Sequence, residues 1–150
     1  MSPNQWGPPV WTLFHTLIEK SKEESYSIIG SHLYGFIHQI CTSLPCDDCS
    51  QHAKRFLSKV AVSQIKTKND LKNLIYVFHN AVNNRKQKPL FKYSDLEIFK
   101  TKNVIHVFNE FARNYHTNGN MKLISDNFHR KLILSNMKKW LMQNIQHFDK

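Results

Sequence analysis

Leu44-Pro45-Cys46-Asp47-Asp48-Cys49-Ser50-Gln51-His52-Ala53 reads as a turn running into a helix. Pro45 cannot continue a preceding helix, and it pushes Leu44 toward extended backbone, so the chain breaks there. Beyond the break Ala53, Phe56, Leu57 and Val60 recur at helical spacing, which sets Cys46 and Cys49 one turn apart at a helix N-terminus. Unpaired amides and the positive end of the helix macrodipole stabilise a thiolate at such a position. The pair therefore reads as a redox address.

The helical periodicity continues on both sides of this segment. Upstream, Pro8-Pro9 suit a first turn, followed by Trp11, Leu13, Phe14, Leu17 and Ile18, and the charged stretch from Glu19 to Glu24 ends that helix. Tyr26, Ile29, Leu33, Phe36, Ile37 and Ile40 predict a second helix that stops near Leu44-Pro45. Cys46 opens the third. A polar connection from Ser63 to Asn69 leads to Asp70 as the expected cap of a fourth, with Leu71, Leu74, Ile75, Phe78 and Val82 as its inner stripe. After Pro89 a shorter helix is expected from Ser94-Asp95, and Val104, Ile105, Phe108, Phe111 and Ala112 mark another. Asn118-Gly119-Asn120 reads as a break, and Ser125-Asp126 as the cap of a last helix carrying Phe128, Leu132, Ile133, Met137, Trp140, Leu141 and Ile145. The expected fold is all-α: a four-helix bundle with additional C-terminal helices, residues 1–116 forming the domain and 117–150 a helical extension packed on it.

Composition narrows the function classes. The chain has 150 residues, 41% of them hydrophobic, with ten Phe and three Trp, enough for one core without disulfide staples. Gly7, Gly30, Gly35 and Gly119 are too far apart for a GxGxxG or a P-loop, so any nucleotide is held without a glycine-rich cradle. A thioredoxin-like reductase needs βαβ units that the pattern lacks. The net charge of +10 comes from dispersed Lys and Arg, which reads as a solvated surface favouring anionic partners, and no nucleic-acid partner is expected. No apolar run approaches the ~20 residues that span a bilayer, and no signal-peptide pattern opens the chain, so a soluble protein without a membrane partner is expected. Three cysteines do not make an extracellular disulfide framework.

Three ordered blocks, Trp6-Gly7-Pro8-Pro9-Val10-Trp11 with Phe14-His15, then CDDC with His52, then His79-Asn80-Ala81-Val82-Asn83-Asn84-Arg85-Lys86-Gln87-Lys88, resemble the Erv/ALR family of FAD-dependent sulfhydryl oxidases, particularly its small virus-encoded members. The resemblance covers about residues 6 to 98. It implies a CxxC disulfide against the isoalloxazine ring of FAD, with Cys49 the flavin-proximal sulfur and Cys46 the substrate-facing one. It also implies FAD contacts from Trp6, Gly7, Trp11, His15, Cys49 and His52. His79, Asn80, Val82, Asn83, Arg85 and Lys88 continue that surface toward the adenine and phosphates, and Tyr93 falls where relatives carry an aromatic on the adenine. Lys86 and Gln87 stand where many relatives have Leu-Gly, which opens the exit from the fourth helix to change.

The implied activity is oxidation of protein dithiols with O₂ as electron acceptor and H₂O₂ as product. Cellular relatives carry a second, shuttle cysteine pair in a flexible tail, whereas no cysteine follows Cys49 here. Substrate thus reaches Cys46 directly or through a thioredoxin-like relay protein. A homodimer is expected from the family and from apolar surfaces on the first two helices that exceed the needs of one bundle. The viral resemblance suggests host cytoplasm or virion, and the mitochondrial intermembrane space is the alternative. The competing reading is a basic zinc- and nucleic-acid-binding module with Cys46, Cys49, His52 and His79 as ligands, but no second ligand pair has zinc-knuckle spacing. For Trp6, Trp11 and His52 the bland reading is core packing, and Cys41 reads as a small buried hydrophobe.

Overall fold

The computed structural model describes residues 3–115 and 121–150, and these are all-α. Six α-helices follow one another: α1 (Pro3–Lys20), α2 (Tyr26–Cys41), α3 (Asp47–Ser58), α4 (Lys68–Arg85), α5 (Val104–Asn114) and α6 (Met121–Asn144). Short 3-10 helices fill connections at Glu23–Ser25, Val62–Gln64, Tyr93–Thr101 and Ile145–His147. Among the described residues the only β feature is an isolated antiparallel bridge between Ser21 and Phe148, and no helix is long and apolar enough to cross a membrane.

Helix α1 is the axis of the molecule. It packs against α4, α5 and the 3-10 helix of residues 93–101, so every residue from Leu13 to Ser21 is buried. A helix buried all round must neutralise its own polar end. Glu19 pairs with Lys72 Nζ at 2.9 Å, and Lys68 Nζ donates to the Glu19 and Ser21 carbonyls at 3.0 and 2.7 Å, placing a cation on the negative end of the α1 dipole. Lys20 Nζ donates to the carbonyls of Lys100 and Lys150. The apolar surplus of α1 that motivated a dimer is therefore covered within one chain, by α5 and residues 93–101.

Helix α2 contributes Ile29, Leu33, Ile37 and Ile40 to the same core, and α6 lies against α2 with Ile133, Met137 and Leu141 turned inward. After α6 the chain returns to the end of α1: Lys22 N donates to His147 O at 2.9 Å, and Phe148 joins the core.

Several element ends differ from the periodicity. Pro8 and Pro9 sit inside α1, which begins at Pro3. Burial of Trp6 and Val10 around the prolines offsets the two amide donors they remove. The cap of α4 is Thr67, whose Oγ1 accepts from Asp70 N at 3.1 Å while Asp70 Oδ2 accepts from Thr67 N at 3.1 Å, a reciprocal capping box in which Asp70 is the third helical residue. Residues 93–101 form a 3-10 rather than an α-helix. Ser125 and Asp126 lie inside α6, and Phe128 and Leu132, expected on its buried stripe, are exposed. The expected break at Asn118-Gly119-Asn120 falls outside the described residues.

Candidate functional site

The redox pair is built by the α2–α3 connection. Cys46 has extended backbone (φ −160°, ψ 110°) and is the N-cap of α3, its Sγ accepting from Cys49 N at 3.2 Å. Cys46 and Cys49 are joined as a disulfide with a Cα–Cα distance of 5.3 Å. Buried Ser50 pins the turn from the other side: its N–H donates to Cys46 O at 3.0 Å and its Oγ accepts from Leu44 N at 2.8 Å. Asp47 and Asp48 in the first turn are exposed, and Asp48 Oδ2 lies 3.7 Å from His52 Nε2 and 3.9 Å from Arg85 Nη1.

Cys49 stands on the wall of a cleft between α1, α3 and α4 that encloses about 780 Å³, solvent at its mouth included. Trp6, Gly7 and Trp11 line it from α1, His52 and Phe56 from α3, and Val82, Arg85 and Lys86 from the end of α4. Cys46 is not among the lining residues. Phe56 and Phe78 stack at 4.7 Å, and Trp11 meets Phe78 edge-on at 5.3 Å, which makes the lining aromatic. Trp6 Nε1 is buried and has no hydrogen-bond partner among the described residues. A Cβ built on Gly7 would meet nothing within 4 Å, so open space lies beside that backbone.

A second cleft, about 700 Å³ on the same measure, shares Gly7, Trp11, Val82 and Lys86 with the first and adds His79, Asn83, Lys88 and Phe99. The two clefts adjoin at these shared residues and together make a trough, lined by Cys49 in the first part and by Lys88 in the second. Arg85 lines the Cys49 cleft, Lys86 lines both clefts and Lys88 lines the second, and the Lys86 ammonium is held below its ordinary pKa by burial and by repulsion from Lys88 and Arg85. Three neighbouring cations, of which Lys86 is half-buried and Arg85 and Lys88 are exposed, favour an anionic ligand.

Behind this trough His15 and His79 meet, Nε2 to Nδ1, at 2.8 Å. Trp11 stacks on His79 with centroids 4.0 Å apart and planes 8° from parallel, and His15 stacks on Phe99 at 4.9 Å. Burial, with His79 alongside, lowers the His15 pKa to about 3; burial, with Lys88 nearby, lowers that of His79 to about 4. Both rings are therefore neutral at pH 7. One donates and the other accepts, and together they fix the Trp11 plane.

Of the residues expected at the site, the trough gathers Trp6, Gly7, Trp11, Cys49, His52, His79, Val82, Asn83, Arg85 and Lys88. His15 stands one layer behind. Asn80 and Tyr93 line neither cleft. Both ends of the Asn80 amide bind the backbone of Phe91, with Nδ2 to O at 2.9 Å and N to Oδ1 at 2.7 Å, so Asn80 anchors the segment after α4. Tyr93 packs edge-on against Tyr76 at 5.2 Å under Lys72, on the outer side of α4. Lys86 lines both clefts and was missed, although it lies four residues after Val82 and extending that stripe by one turn identifies it. The α4 exit explains how Lys88 reaches the trough. Gln87 adopts φ 58°, its N–H donates to Asn84 O at 3.1 Å, and Lys88 N donates to Asn83 O at 2.8 Å, a Schellman turn with Gln in the glycine position. Cys41, the remaining thiol, is buried and also lines the first cleft, where desolvation pushes its pKa up.

Among the described residues no group of three or more His, Cys, Asp and Glu side chains is arranged to hold a metal ion. His79 is bonded to His15 and Cys46 to Cys49, which dismantles the ligand set of the competing zinc reading. Comparison with known proteins gives a different answer. The sequence model of the Erv1 / Alr family matches residues 8–105. The chain is 31% identical over 84 residues to a protein of Fowlpox virus named as a probable FAD-linked sulfhydryl oxidase, spanning 56% of this chain and 81% of that one. It is 30% identical over 95 residues to the FAD-linked sulfhydryl oxidase of African swine fever virus, spanning 60% and 75%. A protein of Invertebrate iridescent virus 6, also named as a sulfhydryl oxidase, is 28% identical over 100 residues, spanning 63% and 90%. No solved structure matches the chain significantly.

Proposed function

The chain belongs to the Erv1 / Alr family, and from that membership we propose that it is an FAD-dependent thiol oxidase that forms disulfides in protein dithiols with Cys46 and Cys49 as its redox pair. The observation that carries the reading is the Cys46–Cys49 disulfide beside an aromatic cleft that Arg85 and Lys86 also line, with Lys88 in the adjoining cleft. The residues fit FAD. Trp6 Nε1 offers a buried donor for a ring acceptor, Gly7 leaves space for a flat ring beside Trp11, and Lys86 and Lys88 supply the positive charge that a pyrophosphate needs in a chain without a glycine-rich loop. When bound, FAD supplies a two-electron acceptor that O₂ reoxidises to give H₂O₂.

The two sulfurs divide the thiol chemistry. A substrate thiolate attacks Cys46, which stands outside the trough; the Cys46–Cys49 bond breaks and Cys49 leaves as a thiolate on the trough wall. A second substrate thiolate attacks the substrate sulfur of the mixed disulfide and displaces Cys46. Two electrons thereby pass from substrate to the cysteine pair. The displaced Cys46 sulfur accepts the Cys49 N–H at the helix N-cap, a contact that strengthens when the sulfur is a thiolate. His15 and His79, both neutral, hold the Trp11 face rather than move protons. Physiological electrons come from a protein dithiol, directly or through a thioredoxin-like relay.

Oxygen consumption with a reduced dithiol tests the proposal. Wild-type protein consumes O₂ and forms an equal amount of H₂O₂, and Cys46→Ser and Cys49→Ser each remove turnover while FAD stays bound. Equal consumption by all three proteins would overturn the assignment.

A further inference from the structure

The family match ends at residue 105, yet two residues beyond it reach back to the turn that presents Cys46. Tyr115, 1% exposed at the end of α5, donates its hydroxyl to Ser43 O at 2.7 Å and lies 3.3 Å from Ile40 O. Arg130, 3% exposed on α6, holds Nη1 at 3.4 Å from both Ser43 O and Leu44 O, with its guanidinium 5.8 Å from the Tyr115 ring centroid. The carbonyls they bind belong to the last turn of α2 and to the link before Pro45, where a helix end leaves acceptors without intrahelical partners. A guanidinium is costly to bury, and this one turns Nη1 to two carbonyls beside the Tyr115 ring.

We propose that Tyr115 and Arg130 are positioning residues for the redox pair. Ser50 holds Leu44 from α3, and Tyr115 and Arg130 hold Ile40, Ser43 and Leu44 from α5 and α6, so the segment leading to Pro45 is gripped from opposite sides. Pro45 then leaves little freedom to the Cys46 backbone. With the disulfide open, this grip is what keeps Cys46 beside Cys49 for closure. Releasing it gives the dithiol form conformational freedom that the bonded form lacks, which shifts exchange toward the dithiol. The C-terminal helix is thus a working part of the site. The inference rests on the reading of Cys46 and Cys49 as the redox pair.

The test is an anaerobic equilibrium of the FAD-bound protein with glutathione buffers, in which two glutathiones and the Cys46–Cys49 disulfide exchange with glutathione disulfide and the dithiol. Alkylation and peptide mass spectrometry read the reduced fraction at Cys46 and Cys49. Arg130→Met is expected to shift the equilibrium about tenfold toward the dithiol, about 30 mV for a two-electron couple. Arg130→Lys is expected to fall between Met and wild type. Tyr115→Phe keeps the ring on Phe111 and removes only the hydroxyl, so it carries the test if Arg130→Met does not fold; a shift of about threefold or more in the same direction is expected. A merely structural role would lower the melting temperature without moving the equilibrium of the folded protein. Values within twofold of wild type in the folded variants would overturn the inference and leave the redox pair standing. A wild-type pair that never exchanges with glutathione would overturn both.

Discussion

Acidification probes the His15–His79 pair directly. A histidine held at about 3 in the folded chain and at its ordinary 6.5 when unfolded stays neutral in the fold while the unfolded chain takes up a proton. Because the folded pKa is depressed, the contribution of His15 is complete above pH 6.5 and is lost as pH falls toward the folded value. Across most of that window the slope approaches about 1.4 kcal/mol per pH unit. Between pH 7.5 and 5 the loss from His15 comes to about 2 kcal/mol. His79, lowered to about 4 and half-buried beside Trp11, adds a loss of similar size over this range with the same sign. Urea unfolding at pH 7.5, 6 and 5, for wild type and for His15→Asn, isolates the effect from the other histidines. Asn keeps a donor for His79 and cannot titrate. The variant is expected to be less stable at pH 7.5 and to lose about 2 kcal/mol less than wild type on going to pH 5. Parallel losses in the two proteins would refute the claim that His15 is buried as a neutral ring.

Gln87→Gly is expected to stabilise the fold by about 0.5–1 kcal/mol, because Gln87 holds a left-handed backbone that glycine adopts without strain; an unchanged or lower urea midpoint would contradict this. Lys86→Met should weaken FAD binding about tenfold, by about 1.4 kcal/mol, with a shallower dependence on salt, as measured by flavin retention and titration. Equal affinity would place the pyrophosphate elsewhere. Cys41→Ala is expected to leave dithiol turnover within about twofold and to cost about 1 kcal/mol of stability, since the thiol is a small buried group kept protonated by desolvation.

Much of this architecture was legible from periodicity. The stripes of α2, α3 and α4 place Leu33, Leu57 and Ile75 inside, and Pro45 marks the break that makes Cys46 a cap. What periodicity misses is set by partners distant in the chain. In sequence α1 carries apolar surface beyond the needs of one bundle, and only the fold reveals that α5 and residues 93–101 cover it. Asn80 reads as a ligand residue on an apolar helix, and only the fold brings Phe91 to its amide. Tyr93, named from the resemblance alone, opens the 3-10 segment and packs on Tyr76 under Lys72, where it lines neither cleft. Asp70 has the composition of a cap but lies one turn inside, because Thr67 provides the reciprocal bond. Phe128 and Leu132 are apolar and exposed, so hydrophobicity alone misassigned the buried face of α6, which follows Arg130, Ile133, Met137 and Leu141. The buried Arg130 carried no signal at all in sequence.

In the proposed reaction electrons from a dithiol enter the protein through Cys46 and Cys49 and reach an FAD held beside Cys49. Anaerobic mixing of the purified, FAD-bound protein with one equivalent of dithiothreitol, followed by visible absorbance, tests it most directly. Wild-type protein should lose its oxidised-flavin absorbance and regain it on admission of air, while Cys49→Ser should keep that absorbance despite carrying the same FAD. Equal bleaching of the Cys49→Ser protein, or a wild-type protein that purifies without flavin and does not take up added FAD, would contradict the account.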